Sequence, residues 1–542
     1  VVSRRVARWQ DIIRKLGFPL TNVPERVVRM CSRLLAFVLA ALVPWKITLA
    51  APAEQTEQIS PAQYITHHEA VVGGKKIAFT VTAGETYLYN DRGEPIGSVF
   101  SYAYVKDRSP NVQRPVLFVT GGGPGSASHF LQVGLLGPWT IPPDRLAVID
   151  GKQPSTVPPF GLVENPNSTL EVADLVFIDP IGTGYSQVIG KGKVEDFWGI
   201  DTDLDALAQF IQLWLSKNDR WESAKFFLGE SYGGTRAALL PNAAMGSPLT
   251  TGYMRGIALN GVIVLSNGLG FPIGGDGIGP HWLAATALPN QAATAWYHNK
   301  IERRGRSLPA FYEEATQFAF SQYVDALRKE ADKSLPAAER AAVVDKIIEF
   351  TGVPASALAA KLSLSQEEFA KTVLADRGLE VGVYDSRYTY PQAGGNSDPT
   401  ADDALLSRTF PVTTGAFLAL ERDKLKVQMH RPFAAIMWRD LLAKWNFNRK
   451  EWTTYPAFKG NNGQELALAM HRNDNLHVLI GCGYYDLLTS PAQARYVVES
   501  TGMPKDRAIV RGYVGGHEPY VDRATRVQLL DDIRTTILKA SH

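Results

Sequence analysis

Apolar residues along this chain gather into short continuous runs rather than long stretches. Pro115–Thr120, Asp174–Asp179, Lys225–Leu228, Gly256–Leu265, Leu476–Ile480 and Ala508–Val510 are of this kind, several of them bounded by glycine. Runs without polar alternation suit strands covered on both faces, as in a central, largely parallel sheet. Between them the spacing changes. Leu204, Leu207, Phe210, Ile211 and Trp214 recur at helical intervals behind Asp201 and Asp203, whose charges favour a helix N-terminus. Strand and helix in alternation predict βαβ units. Upstream, Lys75–Tyr89 and Pro95–Tyr104 are rich in β-branched and aromatic residues and are separated by Asn90, Asp91, Arg92 and Gly93. That pattern predicts a hairpin, so antiparallel strands open the domain.

The pattern shifts between Gly268 and Arg449. Asn267–Pro280 is glycine-rich, and beyond it Ala292–Ile301, Pro309–Lys329, Ala337–Phe350 and Ser365–Leu374 show helical periodicity with no convincing strand. The reading is a helical cap, residues 268–449, inserted into a core made of residues 54–267 and 450–542. Its aromatic residues Trp296, Tyr297, Phe311, Tyr312 and Phe318 are expected in the cap's own core rather than against a substrate.

Composition narrows the function classes. The 542 residues are 45% hydrophobic and 20% charged, as in soluble globular proteins, and a net charge of +2 offers no case for nucleic-acid binding. Charge is uneven, however. Residues 1–53 hold nine basic side chains and two acidic ones, with the cluster standing before the apolar run Leu34–Val43 and then Ala50, Ala51, Pro52 and Ala53. This is the layout of an export signal, and a run of that length is too short to span a bilayer stably. Met30 is a candidate initiator, which would make residues 1–29 a start-site artefact. Without the signal only Cys482 remains of the two cysteines, so no internal disulfide is expected, and a secreted or periplasmic bacterial protein fits best. The histidines fall in no HExxH context and the cysteines in no CxxC context, so no metal and no cofactor are expected.

The chemistry concentrates in four glycine-rich segments. Lys225–Leu228 runs into Gly229-Glu230-Ser231-Tyr232-Gly233-Gly234 and then a helix-compatible Thr235–Leu240. This is GxSxG between a strand and a helix, the context in which a sharp turn exposes a serine nucleophile. After Thr120 comes Gly121-Gly122-Gly123-Pro124-Gly125, whose amides are open to a ligand, and no GK[ST] follows that would mark a phosphate loop. Acyl transfer needs two donors at the developing oxyanion, and the amides of Gly123 and Tyr232 are the candidates. A serine needs a base and the base an orienting acid, in the chain order Ser, Asp, His on an α/β-hydrolase sheet. His517, after the last short strand, and Asp486, after Leu476–Ile480, stand in those places, each in a glycine-containing loop.

Together these segments resemble the serine carboxypeptidase family, in its bacterial branch of the α/β-hydrolases, from about Ile77 to the C-terminus. Gly229–Gly233 is similar to that family's GESYG, Gly121–Gly125 to its NGGPG loop, and Asn165–Ser168 with Asp179–Ser186 to its NPxS and D-x-P-x-G-x-G-[FY]-S block. The resemblance implies Ser231 as nucleophile, His517 as general base and Asp486 as its orienting acid, with Gly123 and Tyr232 forming the oxyanion hole. It further implies substrate binding by Glu230, Gly122 and Glu518. Gly121 stands where the family has an asparagine that helps hold the substrate's terminal carboxylate. The expected activity is removal of C-terminal residues from peptides through an acyl-enzyme, without a cofactor and without stable membrane insertion. The alternative is an esterase or acyltransferase on the same machinery, and a catalytically dead binding protein is disfavoured by the intact serine, aspartate and histidine.

Overall fold

The computed structural model describes residues 60–107, 113–246, 254–273, 277–392, 402–449 and 460–541. The predicted export segment lies outside them. The predicted hairpin is present as β2 (Lys75–Tyr89) and β3 (Pro95–Lys106). Its turn is held by Asn90, whose side-chain oxygen accepts the amides of Arg92 and Glu94, each at 3.0 Å. An unforeseen β1 (Gln63–Val72) pairs with β2 in antiparallel fashion. One face of β1 is open to solvent, so its apolar signal is diluted by Gln63, His67 and Glu69.

Six further strands form the parallel part of the sheet: β4 (Val116–Thr120), β5 (Asp174–Asp179), β6 (Lys225–Glu230), β7 (Gly261–Leu265), β8 (His477–Gly483) and β9 (Ala508–Tyr513). The order across the sheet is β1-β2-β3-β5-β4-β6-β7-β8-β9, with β3 antiparallel to β5 and every later pair parallel. This is the α/β-hydrolase arrangement, a mixed and mostly parallel sheet flanked by helices. The unbroken apolar runs have a direct cause. Phe118, Ile178 and Phe227 pack on one face with α1 (Ile200–Lys217) and α2 (Tyr232–Met245), while Leu117, Phe177 and Leu228 pack on the other. Both faces are covered, so neither set of alternate residues is polar.

The predicted cap carries three of its helices as α3 (Pro280–Tyr297), α4 (Leu308–Phe318) and α5 (Ala337–Thr351). Trp296, Phe311, Phe318, Val343, Ile347 and Phe350 make a core of their own. Ser307 caps α4, and Ser365 with Glu368 forms a reciprocal cap on the short helix Gln366–Thr372. Two features depart from the sequence reading. Leu379–Val381 and Thr389–Pro391 pair as a small antiparallel hairpin inside the region read as strand-free. Three residues per strand are too few for an alternation to register. The second part of the insertion also leaves the cap. Helix α6 (Leu406–Leu420) buries Val412, Ala416, Phe417 and Leu420 in the core on the sheet's second face.

Candidate active site

Parallel strands end on one edge of the sheet, and the four glycine-rich segments all follow strands there. Ser231 caps α2 directly after β6, with φ of 58° and ψ of −123°. That is a conformation a non-glycine residue holds only under constraint from its surroundings, as at a nucleophile elbow. The constraint is visible. The Ser231 amide donates to Leu265 O of β7 at 2.9 Å, and a side chain at Gly229 would place its Cβ 1.8 Å from Gly233 O.

The loop after β4 lies against this turn. A Cβ at Gly122 would sit 2.6 Å from Ser231 Cβ and 3.1 Å from the Tyr232 amide nitrogen, so only glycine permits the approach. The amides of Gly123 and Tyr232 are engaged by no acceptor among the described residues. They remain available as donors to an oxyanion. Buried Arg236 links the two segments: its Nη1 donates to Gly121 O at 2.9 Å, its Nε pairs with Asp203 at 2.6 Å, and its guanidinium lies 5.1 Å from the Tyr232 ring centre. Asp179 holds the far side of the loop, accepting the Ser128 amide at 2.8 Å and its hydroxyl at 2.7 Å.

Asp486 and His517 meet at Oδ2 to Nδ1, 2.8 Å apart and both buried. Asp486 is fully engaged. Its Oδ1 accepts the amides of Leu488 and Thr489, and its Oδ2 also accepts the Thr489 hydroxyl at 2.6 Å. The Nδ1 of His517 is thereby committed, which leaves Nε2, buried and without a hydrogen bond among the described residues, facing the cleft that Ser231 lines. Burial works against charge on His517, but Asp486, with Glu230 and Asp403 farther off, outweighs it and holds the imidazole above its ordinary range.

The cleft has a volume of about 480 Å³. Gly122, Gly123, Glu230, Ser231, His517 and Glu518 supply its polar side. A second cavity of about 430 Å³, against β2 and β3, shares no residue with it. Glu230 is buried at the end of β6 and accepts the Tyr520 hydroxyl at 3.1 Å through Oε2, while Oε1 has no hydrogen-bond partner among the described residues. Burial pushes its carboxyl up to about 7. Glu518 is driven well above the carboxylate range by burial and then by Glu230, Asp403 and Asp385, and its Oε2 is likewise unpaired. When protonated, either carboxyl donates a hydrogen bond to a group that enters the cleft, and when ionised it repels an anion there.

Several residues that serve this site carry no motif in the sequence. Asn290 of α3 donates its side-chain amide to the carbonyls of Gly483, Asp486 and Thr489, bracing the acid loop from the cap. Tyr384, in the small hairpin, accepts the His517 amide at 2.6 Å and sets its ring 5.0 Å from the imidazole, edge-on. Buried Asp385 pairs with Arg387 at 2.6 Å and packs against Gly516. Leu406, Ile436 and Trp438 line the cleft's apolar wall, whereas none of Trp296, Tyr297, Phe311, Tyr312 and Phe318 reaches it. Asn165, part of the family-like block, serves the scaffold: its amide donates to the carbonyls of Leu135 and Gly137.

Comparison with known proteins finds similarity in one segment of the chain. A family model described as serine carboxypeptidase matches residues 78–272, which include the glycine-rich loop after β4 and the turn at Ser231. Serine carboxypeptidase-like 13 of Arabidopsis thaliana is 31% identical over 140 residues, 24% of this chain and 29% of that protein. Serine carboxypeptidase-like 11 of the same plant is 30% identical over 141 residues, 25% of this chain and 29% of that protein. The chain thus matches under a third of the length of these relatives. Among solved structures, the proline iminopeptidase of Mycobacterium smegmatis aligns over 84% of this chain and 98% of its own, at 11% identity and a TM-score of 0.31. A carboxyl esterase of Bacillus coagulans aligns over 84% and 97%, at 11% identity and a TM-score of 0.32.

Proposed function

We propose that this chain is an exported serine-type hydrolase that removes C-terminal residues from peptides through an acyl-enzyme. The observation that carries the reading is the buried Asp486–His517 pair at 2.8 Å, its free Nε2 facing the cleft into which the strained turn presents Ser231. In the reaction, Ser231 Oγ attacks the scissile carbonyl carbon and His517 Nε2 takes the hydroxyl proton. The carbonyl oxygen becomes an oxyanion and accepts the amides of Gly123 and Tyr232. Collapse breaks the bond to the leaving amine, which receives the proton from His517. Water then repeats the sequence on the ester, with His517 again as base.

Burial raises the carboxyls of Glu230 and Glu518 above their ordinary range, and in their protonated form they favour a substrate carrying a carboxylate, because a protonated acid donates to that group where an ionised one repels it. Gly121 favours the second reading, ester hydrolysis or acyl transfer, since it supplies no side-chain donor at the place of the family asparagine. Export to the periplasm or medium is proposed from the charged, apolar and small-residue order of residues 1–53.

The test is labelling of the full chain with a fluorophosphonate, followed by a peptide library scored for C-terminal trimming beside a panel of simple esters. Stoichiometric modification of Ser231 with trimming of free-acid peptides is the expected result. Labelling with ester turnover alone moves the assignment to the second reading, and absence of labelling overturns both. N-terminal sequencing of the native protein that finds residues before Ala50 would remove the export proposal.

A further inference from the structure

Among the described residues that line the cleft, Arg439 is the sole arginine or lysine, and it lies exposed between Trp438 and Leu442. Arginines elsewhere around the site are committed. Arg236 pairs with Asp203, Arg387 with Asp385, Arg431 with Glu85, and Arg449 with Asp201 and Glu465. Arg439 has neither an ion pair nor a side-chain hydrogen bond among the described residues, although Asp440 follows it directly.

Its position is held relative to the reacting centre. The Met437 amide donates to Gly125 O at 2.8 Å and the Ala127 amide to Ala435 O at 3.0 Å, with Ser126 and Ile436 bridged between them. The strand-like segment Ala434–Met437, which leads into the short helix Arg439–Lys444, is therefore bonded to the glycine-rich loop after β4. Glu230 and Glu518 line the same cleft, and their buried Oε1 and Oε2 atoms lack hydrogen-bond partners among the described residues. A planar guanidinium with five donors matches a carboxylate bidentately, and one left unpaired on a cleft wall is free to do so when a ligand arrives.

We propose that Arg439 is a specificity-determining residue that pairs with a carboxylate of the substrate, so that this cleft selects acyl substrates bearing a negative charge. The inference rests on the hydrolase reading of the cleft and deepens it by naming the substrate class. Two sources supply that chemistry, the free C-terminus of a peptide and an acidic side chain near it.

The experiment uses the full chain, with Arg439→Gln and Arg439→Glu, on three peptides sharing one scissile bond. One ends in a free acid, one in the corresponding amide, and one in an amide with glutamate as its last residue. A charge-assisted hydrogen bond at an exposed rim sets the expected change, a fall of about tenfold in the anionic-to-neutral ratio of kcat/KM for Arg439→Gln. The fall should enter through KM and be larger in Arg439→Glu. Raising ionic strength should lower the ratio in wild type more than in Arg439→Gln. Loss confined to the free acid assigns the carboxylate to the C-terminus, and loss confined to the glutamyl amide assigns it to the side chain.

Equal proportional loss on charged and neutral peptides, or no loss, overturns the proposal. A second measurement is independent of turnover: calorimetric binding of N-acetylphenylalanine and its amide to Ser231→Ala protein with and without Arg439→Gln. Preference for the acid that vanishes with Arg439 supports the pairing even if no peptide is cleaved, whereas unlabelled Ser231 defeats the hydrolase reading alone. No preference for either the free-acid peptide or the glutamyl amide over the neutral amide in turnover, together with none between acid and amide in binding, defeats the pairing.

Discussion

Replacing Glu230 by glutamine separates the electrostatics of this cleft from its shape. The carboxyl is fully buried, and its ordinary value of 4.5 is pushed up to about 7, first by burial. In the unfolded chain the proton leaves near 4.5, while the folded protein retains it to about 7. Between those values the native state binds more protons at this group, so the contribution of Glu230 to stability is greatest below 4.5 and is lost as pH rises through 7. At about 1.4 kcal/mol per pH step, ionised Glu230 costs the fold about 3 kcal/mol above pH 8. Glutamine keeps an acceptor for the Tyr520 hydroxyl and places a neutral group where Oε1 has no partner. Denaturant unfolding should find the two proteins about equally stable near pH 4.5 and the variant more stable by about 3 kcal/mol near pH 8.5.

The same titration governs a substrate carboxylate, which meets a neutral donor below pH 7 and a like charge above it. For wild type, kcat/KM on a free-acid peptide should fall with rising pH, while hydrolysis of the amide persists. In Glu230→Gln that fall should be lost. Stability differences that do not change with pH, together with superimposable acid and amide profiles in wild type, would refute the assignment of Glu230 to carboxylate recognition.

Three further outcomes are expected. Ser231→Ala and His517→Ala should each lower kcat by about 10⁴- to 10⁶-fold with the fold retained, the double variant being no worse than the poorer single, and Asp486→Asn should keep residual turnover in the same assay. Gly122→Ala places a Cβ 2.6 Å from Ser231 Cβ, so the oxyanion loop must withdraw. Its kcat should fall by about 10²-fold or more with little change in KM, by steady-state kinetics. Asp174→Ala leaves buried Arg220 without the carboxylate it meets at 2.6 Å, and should lower unfolding free energy by about 3–5 kcal/mol in a denaturant titration.

The candidate site of this molecule was legible wherever a function demands a residue type in a local setting. A nucleophile turn needs glycines on both sides of Ser231, and an oxyanion loop needs them where it approaches, so Gly122 and Gly229 mark the site in one dimension. The parallel strands were equally plain, because burial on both faces of β4, β5 and β6 confines their polar residues to the strand ends. β1 and the hairpin Leu379–Pro391 were not, the first because it is open to solvent on one face and the second because its strands are too short for a period.

Chain order, then, determined the class of fold and the candidate nucleophile, base and acid of this protein, since those depend on spacing along the backbone. Which side chains support and surround them was decided only in three dimensions. Asn290 braces a loop almost two hundred positions away, Tyr384 takes the His517 amide from inside the insertion, and Arg439 reaches the cleft through a segment bonded to the oxyanion loop. An asparagine, a tyrosine or an arginine has no fixed sequence context for such a task. Its role comes from the neighbours that the folded sheet and insertion bring to it, and those neighbours are set by long-range packing rather than by local pattern.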